Sequence, residues 1–377
     1  MKRVLVIGNG LIGARHATSV QQHPDCTLVG VVEPNADLHR DADVRYFHDL
    51  EDVKTDVDGA IIATPTHLHS SHGIDAAQRG WDVLIEKPVT ATLQEATQLA
   101  EAVQRSGVAS LVGHHRRYHH SVQHLKKMVG NGEIGTPITA TMIWAMRKPN
   151  AYFEQNWRTK SGSPVMINLV HDIDVLRFVL GEIIDITAVG AAHIRATHRI
   201  ESGAVAMLFA SGATAAISFA DTTPSPWGFE AGTAENPHIA ASGQDMLWIT
   251  GTRGGVSFPS MTKWSGAEDW SQSPTAEPLH IANTTPLRRQ LDHFVEVMSR
   301  KSEPLISVFD AQKTLEITLK LEELLCQKAD NKAVAANLEM APHKGQTQSM
   351  GARRTYPITE FAPNRQIAGV FFAIFDC

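Results

Sequence analysis

The amino-acid sequence predicts an α/β fold that begins with a doubly wound, parallel sheet, and three patterns carry that prediction. The chain opens on a short, wholly apolar run, Val4 to Ile7, of the kind expected for a strand covered on both faces. A turn spaced G-x-G-x-x-G, Gly8-Asn9-Gly10-Leu11-Ile12-Gly13, follows at once. Beyond it, strand-like and helix-like stretches alternate as far as about residue 120.

Taken in order, Gly8 permits a tight turn and Gly10 lets the backbone approach a pyrophosphate. Gly13 lets the next helix press on the strand, and that helix turns its free N–H groups toward the anion. The second strand, Leu28 to Val32, ends in Glu33, close to the spacing at which a carboxylate meets the adenosine ribose. Such a carboxylate favours NAD over NADP, whose extra phosphate it repels, and Pro34 to Asp37 supplies no cation. A solvated strand-end glutamate is the plainer alternative. Gly59 to Ala63 reads as a strand, Thr64 to His69 as a turn and about Ser70 to Arg79 as a helix. Trp81 to Ile85 is the next strand, Leu93 to Ser106 an amphipathic helix and Ala109 to Gly113 another strand. Pro65 and Pro88 suit turns, where no ladder N–H is lost. Gly8, Glu33, Thr64, Glu86 and His114 thus fall at the carboxyl ends of strands, where ligands of such sheets gather.

Bulk properties suit a soluble enzyme. The 377 residues, 43% of them apolar, can build two cores. Thirty-four cationic against 40 anionic side chains give a net charge of −6, which argues against nucleic acid as a main partner. Cys26, Cys326 and Cys377 are too few and scattered for a disulfide framework or a zinc site, so a reducing, cytoplasmic setting is expected. The start is a strand with two cations rather than an export signal, and Ile367 to Phe375 is too short to span a bilayer, so no membrane partner is expected. No metal is expected either.

Several motifs follow the glycine turn in order: Ala63-Thr-Pro-Thr-His-Leu-His69, Glu86-Lys-Pro88, Gly113-His-His-Arg-Arg117 and His171-Asp-Ile-Asp174. Together they make the chain resemble the glucose–fructose oxidoreductase and inositol dehydrogenase family, over roughly residues 1 to 325. The resemblance implies an N-terminal Rossmann dinucleotide-binding domain (1–120) and a C-terminal α/β domain (121–328) with a large, open, mostly antiparallel sheet. That sheet carries the substrate face and is an expected homodimer or homotetramer contact. Ala204 to Ala210 and Ala213 to Ala220, parted by Ser211-Gly212, suit a hairpin within it. Residues 329–377 are an extension beyond the family's usual end, read as a flexible or docking segment. NAD is then expected against Gly8, Asn9, Gly10, Leu11, Ile12, Gly13, Glu33, Thr64, Pro65, His69, Glu86 and Lys87.

Oxidising an alcohol requires a proton acceptor beside the carbon that loses hydride. As the family's Glu-Lys-Pro lysine, Lys87 is expected to hold the reacting oxygen, with Glu86 orienting it; an exposed ion pair at a strand end is the alternative. His171 lies on an apolar helix marked by Leu169, Ile173, Leu176 and Leu180 and closed by Gly181, and the resemblance assigns it the catalytic imidazole. Many relatives carry an aspartate four residues before this histidine, whereas this chain has Ile167 there and Asn168 one step later. Asn168 is therefore expected as a hydrogen-bonding substrate contact. Asp174 is read as fixing the helix or a neighbouring domain. His171, Asp172 and Asp174 are not expected to bind metal, because adjacent helix residues point apart.

Arg116 or Arg117 matches a family arginine at the cofactor and substrate lip, and Arg116, Trp157 and Arg158 are expected to wall the substrate. If these cations converge, the substrate carries a carboxylate; if they hold surface loops, a neutral sugar or polyol is favoured. Pro304 to Val308 reads as a strand leading into a helix from Phe309 to about Gln327. The expected function is an NAD-dependent dehydrogenase acting on a secondary alcohol of a sugar, polyol or related cyclic compound. Three alternatives stand beside it: a cis-dihydrodiol dehydrogenase acting on a cyclic carboxylate, an NAD-dependent glycosidase without net redox, and a non-catalytic NAD sensor.

Overall fold

The computed structural model describes residues 1–153, 163–192, 194–195, 200–236, 238–282 and 285–339. Met1–Val334 form one compact unit. Ala335–Cys377 form a second, of which only the first five residues are described, as the end of the last helix. The apolar end of the extension, Val370 to Phe375, lies outside the described residues.

The first sheet has six parallel strands in the order β3-β2-β1-β4-β5-β6: β1 Lys2–Ile7, β2 Cys26–Val32, β3 Tyr46–Phe47, β4 Gly59–Ile62, β5 Asp82–Ile85 and β6 Ser110–Val112. Strand order reverses beside β1, where doubly wound sheets open a ligand crevice. Val4 to Ile7, Ala60 to Ile62 and Val83 to Ile85 are almost fully buried because helices cover both faces. Helix α1 (Leu11–Gln21) starts directly from the glycine turn; α2 (His69–Gln78) and α3 (Leu93–Ser106) follow later crossovers. Helix α3 begins where Thr92 and Glu95 form a reciprocal capping box and stops at Gly107, whose φ of +66° lies in the left-handed region.

After α4 (His120–Gly130) the chain builds a nine-stranded sheet around β7 (Pro137–Met146). Its strands are β8 (Ile183–Ala191), β9 (Ser202–Phe209), β10 (Thr214–Ala220), β11 (Pro224–Trp227), β12 (Leu247–Gly251), β13 (Gly254–Phe258), β14 (Thr262–Ser265) and β15 (Thr275–Pro278). Every pairing is antiparallel except β7 with β10. Burial alternates along β8, β9 and β10, so Val205, Met207, Ile217 and Phe219 face the second core and Ala204, Ala206 and Ala216 face outward. The 211–212 turn joins β9 to β10, with Gly212 at φ +86°.

Two features depart from the sequence reading. Pro304 to Val308 is not a strand: the helix starts at Val308. Ile306 and Val308 are buried and Ile306 accepts a single bond from Val112 N, so an apolar alternation was produced by burial without a ladder. In addition, α7 (Pro286–Met298) and the start of α8 (Val308–Glu339) return to the first sheet. Leu291, Phe294, Met298, Val308 and Leu315 share its core with Val4 and Ile61. Between β7 and β8 a π turn (Val165–Leu169) runs directly into α5 (Val170–Leu180), while α6 (Phe229–Thr233) follows β11. Among the described residues no helix is long and apolar enough to cross a membrane.

Candidate active site

The glycine turn has the shape a dinucleotide needs. Gly8 sits at φ +94°, where a Cβ would come within 2.8 Å of the Ala63 carbonyl oxygen. At Gly13 a Cβ would lie 2.0 Å from the Gly8 carbonyl oxygen, so only glycine lets α1 approach β1 this closely. Gly10 faces open space, and no side chain caps the first N–H groups of α1, which stay available to an anion. Leu11 is exposed and Ile12 half-buried beside that opening. Glu33, at the end of β2, accepts from Asn9 N at 2.8 Å and from Asn35 N at 3.0 Å, which fixes its carboxylate beside the turn. These residues fit NAD: the helix end would hold the pyrophosphate and Glu33 the ribose.

At the end of β4, Thr64 is half-buried and Pro65 exposed. His69 is buried, with its two ring nitrogens each 2.8 Å from a main-chain oxygen, those of Thr64 and Pro88. It therefore ties the β4 turn to the segment after β5 and has no nitrogen left for a cofactor.

That segment carries Glu86 and Lys87. Glu86 lies 2.9 Å from His16 Nε2 on α1, and Gly113 leaves it room: a Cβ there would sit 2.9 Å from the Glu86 carboxyl carbon. Burial pushes the Glu86 carboxyl up, but the His16 hydrogen bond and the nearby cations prevail and hold it at about 2. Lys87 is half-buried, and its ammonium donates to the Ile167 main-chain oxygen at 3.2 Å. Burial lowers its pKa below the usual lysine range, and the Arg116 charge adds to that against the opposing carboxylates.

Ile167 lies in the π turn, one helical turn before His171 on α5. His171 is buried, and its ring packs edge-on against His115 at 5.1 Å and His114 at 6.1 Å between centroids. Burial, then the charges of Lys87 and Arg116, lowers its pKa well below 6.5, so the ring is neutral at physiological pH. His171 Nδ1 and Asn168 Oδ1 are both buried without a hydrogen-bond partner among the described residues. Such orphaned atoms mark where a ligand or water completes the bonding. Lys87, Asn168 and His171 are thus brought together at the carboxyl edge of the first sheet.

Arg116 does not line the lip as a free cation. It is 1% exposed and stacks over Phe229, with one nitrogen 2.6 Å from Asp172 and another 2.7 Å from Glu230. Arg117 is likewise committed, bidentate to Asp174 at 2.8 and 2.7 Å and bound to Asp310 at 2.6 Å, which fixes α5 to α8. Both cations thus neutralise the protein's own acids. Trp157 and Arg158 lie outside the described residues. Among the described residues no group of three or more His, Cys, Asp or Glu is arranged to hold a metal ion. The sequence reading missed His16, Glu230 and Glu235: Glu235 Oε1 is 3.5 Å from His115 Nε2 and 3.7 Å from Arg116 Nε. No local motif marks the two glutamates; only the fold brings them to Arg116.

Comparison with known proteins agrees with this fold. Residues 2–114 match the model of an oxidoreductase family with an NAD-binding Rossmann fold, and residues 122–257 match that of the GFO/IDH/MocA C-terminal domain. Oxidoreductase P35 of Formosa agariphila is 30% identical over 275 residues, 67% of this chain and 79% of that protein. The scyllo-inositol 2-dehydrogenase (NAD(+)) of Bacillus subtilis is 27% identical over 335 residues, 84% and 91% of the two chains. The match to 2,7-anhydro-N-acetylneuraminate hydratase of Mediterraneibacter gnavus, 27% identical, spans 50% of this chain and about half (52%) of that protein. Among solved structures, UDP-N-acetylglucosamine 3-dehydrogenase from Acidithiobacillus ferrooxidans superposes with a TM-score of 0.70 at 21% identity, covering 87% of this chain and 98% of that one.

Proposed function

The chain belongs to the GFO/IDH/MocA oxidoreductase family, with its NAD-binding Rossmann domain, and from that premise we propose that it is an NAD-dependent dehydrogenase for a secondary alcohol of a sugar or polyol. The observation that carries this reading is the bond from Lys87 Nζ to the Ile167 oxygen, which draws the lysine to the helix of His171. Bound NAD supplies the carbon that accepts hydride. Lys87 donates a hydrogen bond to the substrate hydroxyl oxygen and holds it. His171, neutral because burial and adjacent cations depress its pKa, takes the hydroxyl proton as hydride leaves. Asn168 Oδ1 accepts from a neighbouring hydroxyl. Arg116 and Arg117 are occupied by internal carboxylates, which favours an uncharged substrate over a cyclic carboxylate.

The same proposal includes work in the cytoplasm as a homodimer or homotetramer. Cys26 is a buried free thiol. The outer face of the large sheet aligns small and apolar side chains, Ala206 beside Ala216 and Thr187, and Ala204 beside Val189, as a flat surface for a second copy.

The test is NADH formation, read by absorbance, when the purified protein meets NAD and a panel of sugars and inositols. Turnover of at least one is expected; tight NAD binding with no turnover of any would replace the dehydrogenase reading with a sensor. The hydratase relative favours a second reading, in which NAD is reduced and reoxidised within one turnover. Substrate consumed with no net NADH would establish it.

A further inference from the structure

Two glutamates outside the Lys87 and His171 pair meet the site from the segment after β11. Glu230, on α6, gives one oxygen to Arg116 at 2.7 Å, and Glu235 places Oε1 3.7 Å from Arg116 Nε and 3.5 Å from His115 Nε2. The other oxygen of each, Oε2, is buried without a hydrogen-bond partner among the described residues. Both side chains are close to nine-tenths buried, at 12% and 9% exposure. Both lie next to the chemistry: Glu235 meets His115, whose ring packs against the His171 ring, and Glu230 shares Arg116 with Glu235. Asp172, the third carboxylate on Arg116, lies deeper, with no exposure at all.

An ionised carboxylate only accepts hydrogen bonds, and leaving a buried acceptor unsatisfied is costly. His115 and Arg116 hold Glu235 ionised against its burial, at about 2. An incoming carboxylate would be repelled here, whereas a hydroxyl group brings the missing donor. We propose that Glu230 and Glu235 form a hydroxyl-accepting wall of the substrate site and select an uncharged, polyhydroxylated substrate whose hydroxyls flank the reacting carbinol. This rests on the dehydrogenase reading, since it concerns the same site. Arg116 and Phe229 position the wall by clamping and stacking behind it.

The experiment uses the full chain with NAD and the Glu230→Gln and Glu235→Gln variants. The substrates are neutral inositols and monosaccharides, analogues each lacking one hydroxyl, and the matching uronates and amino sugars. For the best neutral substrate, each variant is expected to lose about tenfold to a hundredfold in kcat/KM, mostly through KM, with NAD affinity unchanged. On the analogue lacking the partner hydroxyl, wild type and variant are expected to converge, which a merely structural role of the glutamate would not produce. Glu230→Asp and Glu235→Asp, which keep the charge on Arg116 but shorten the reach, serve if a glutamine variant does not fold. Equal losses on the parent and on every deoxy analogue overturn the proposal, as does a preference for uronates or amino sugars. If wild type binds NAD but oxidises nothing, the dehydrogenase reading fails first. Calorimetric affinity of the NAD complex for the same polyols then decides the wall by itself, and equal affinities in wild type and variants overturn it.

Discussion

Replacing Arg116 by glutamine leaves a hole in the charge balance beneath the site, and its cost follows from the contacts. The guanidinium is buried at 1% exposure, and its bonds of 2.6 Å to Asp172 and 2.7 Å to Glu230 reach carboxylates that are themselves buried. Removing one member of a buried ionic group and leaving its partners costs about 3–5 kcal/mol, or two to nearly four powers of ten in the folding equilibrium. The loss depends on pH, and its sign is fixed by Asp172. Burial already pushes this carboxyl from its ordinary 3.8 up to about 7, against the lowering charge of Arg116. A carboxyl raised in the folded state contributes stability at low pH that is lost as pH rises through its folded value. Without Arg116 the folded value rises further, so the stability deficit of the variant grows with pH. Urea unfolding of the full chain, followed by tryptophan fluorescence at about pH 6 and about pH 8, measures both effects. Midpoints equal to wild type, or a deficit smaller at the higher pH, would refute the structural role of Arg116.

Lys87→Met and His171→Asn are each expected to lower kcat by roughly a hundredfold to ten-thousandfold while NAD still binds, as read by NADH formation and by quenching of protein fluorescence. Glu33→Ala should weaken NAD roughly tenfold to a hundredfold and narrow the preference over NADP, measured by calorimetry with both nucleotides. Gly13→Ala forces a methyl to within 2.0 Å of the Gly8 carbonyl oxygen, so a loss of about 1–3 kcal/mol in stability, together with weaker NAD binding, is expected in urea titrations. Asn168→Asp sets a carboxylate beside the peptide oxygen that Lys87 already meets, favours its ammonium form and should move the alkaline limb of the kcat profile up by roughly one pH unit. An unmoved limb would separate Asn168 from the lysine.

Most of the first domain was legible because the second half of β1 and of β2 and all of β4, β5 and β6 are buried and each turn carries its own chemistry, whereas β3, two residues long, left no pattern to read. Val4 to Ile7, the glycine spacing and Glu33 are local signals, and the fold only had to bring Asn9 N to the Glu33 carboxylate. The roles of the arginines were not legible. Arg116 and Arg117 stand side by side in sequence, yet one turns to Asp172 and Glu230 and the other to Asp174 and Asp310, partners from 56 to 193 positions away. Nothing local distinguishes an arginine that will bind a ligand from one that will neutralise a buried acid. His69 misled for a related reason: a histidine in a strand-end turn suits a cofactor contact, but two main-chain oxygens within 2.8 Å claim both its nitrogens.

The π turn before α5 gives the displaced Asn168 a physical meaning. Val170 N reaches back five residues to the Val165 oxygen, so one extra residue is held in the turn. At Ile167 the side chain has no polar atom, yet its main-chain oxygen meets the Lys87 ammonium at 3.2 Å. A peptide oxygen orients an ammonium as a carboxylate does, but it brings no full negative charge to hold the proton on. Burial therefore lowers the Lys87 pKa and the Arg116 charge adds to it, while the adjacent Glu86 and the farther Glu230 and Glu235 oppose them. Asn168, the next residue, keeps Oδ1 unpaired, and one turn later His171 presents a bare Nδ1. The helix thus holds the lysine through its backbone and leaves its polar side-chain atoms to the substrate, a division of labour that an aspartate in place of Ile167 would collapse into an ion pair with Lys87.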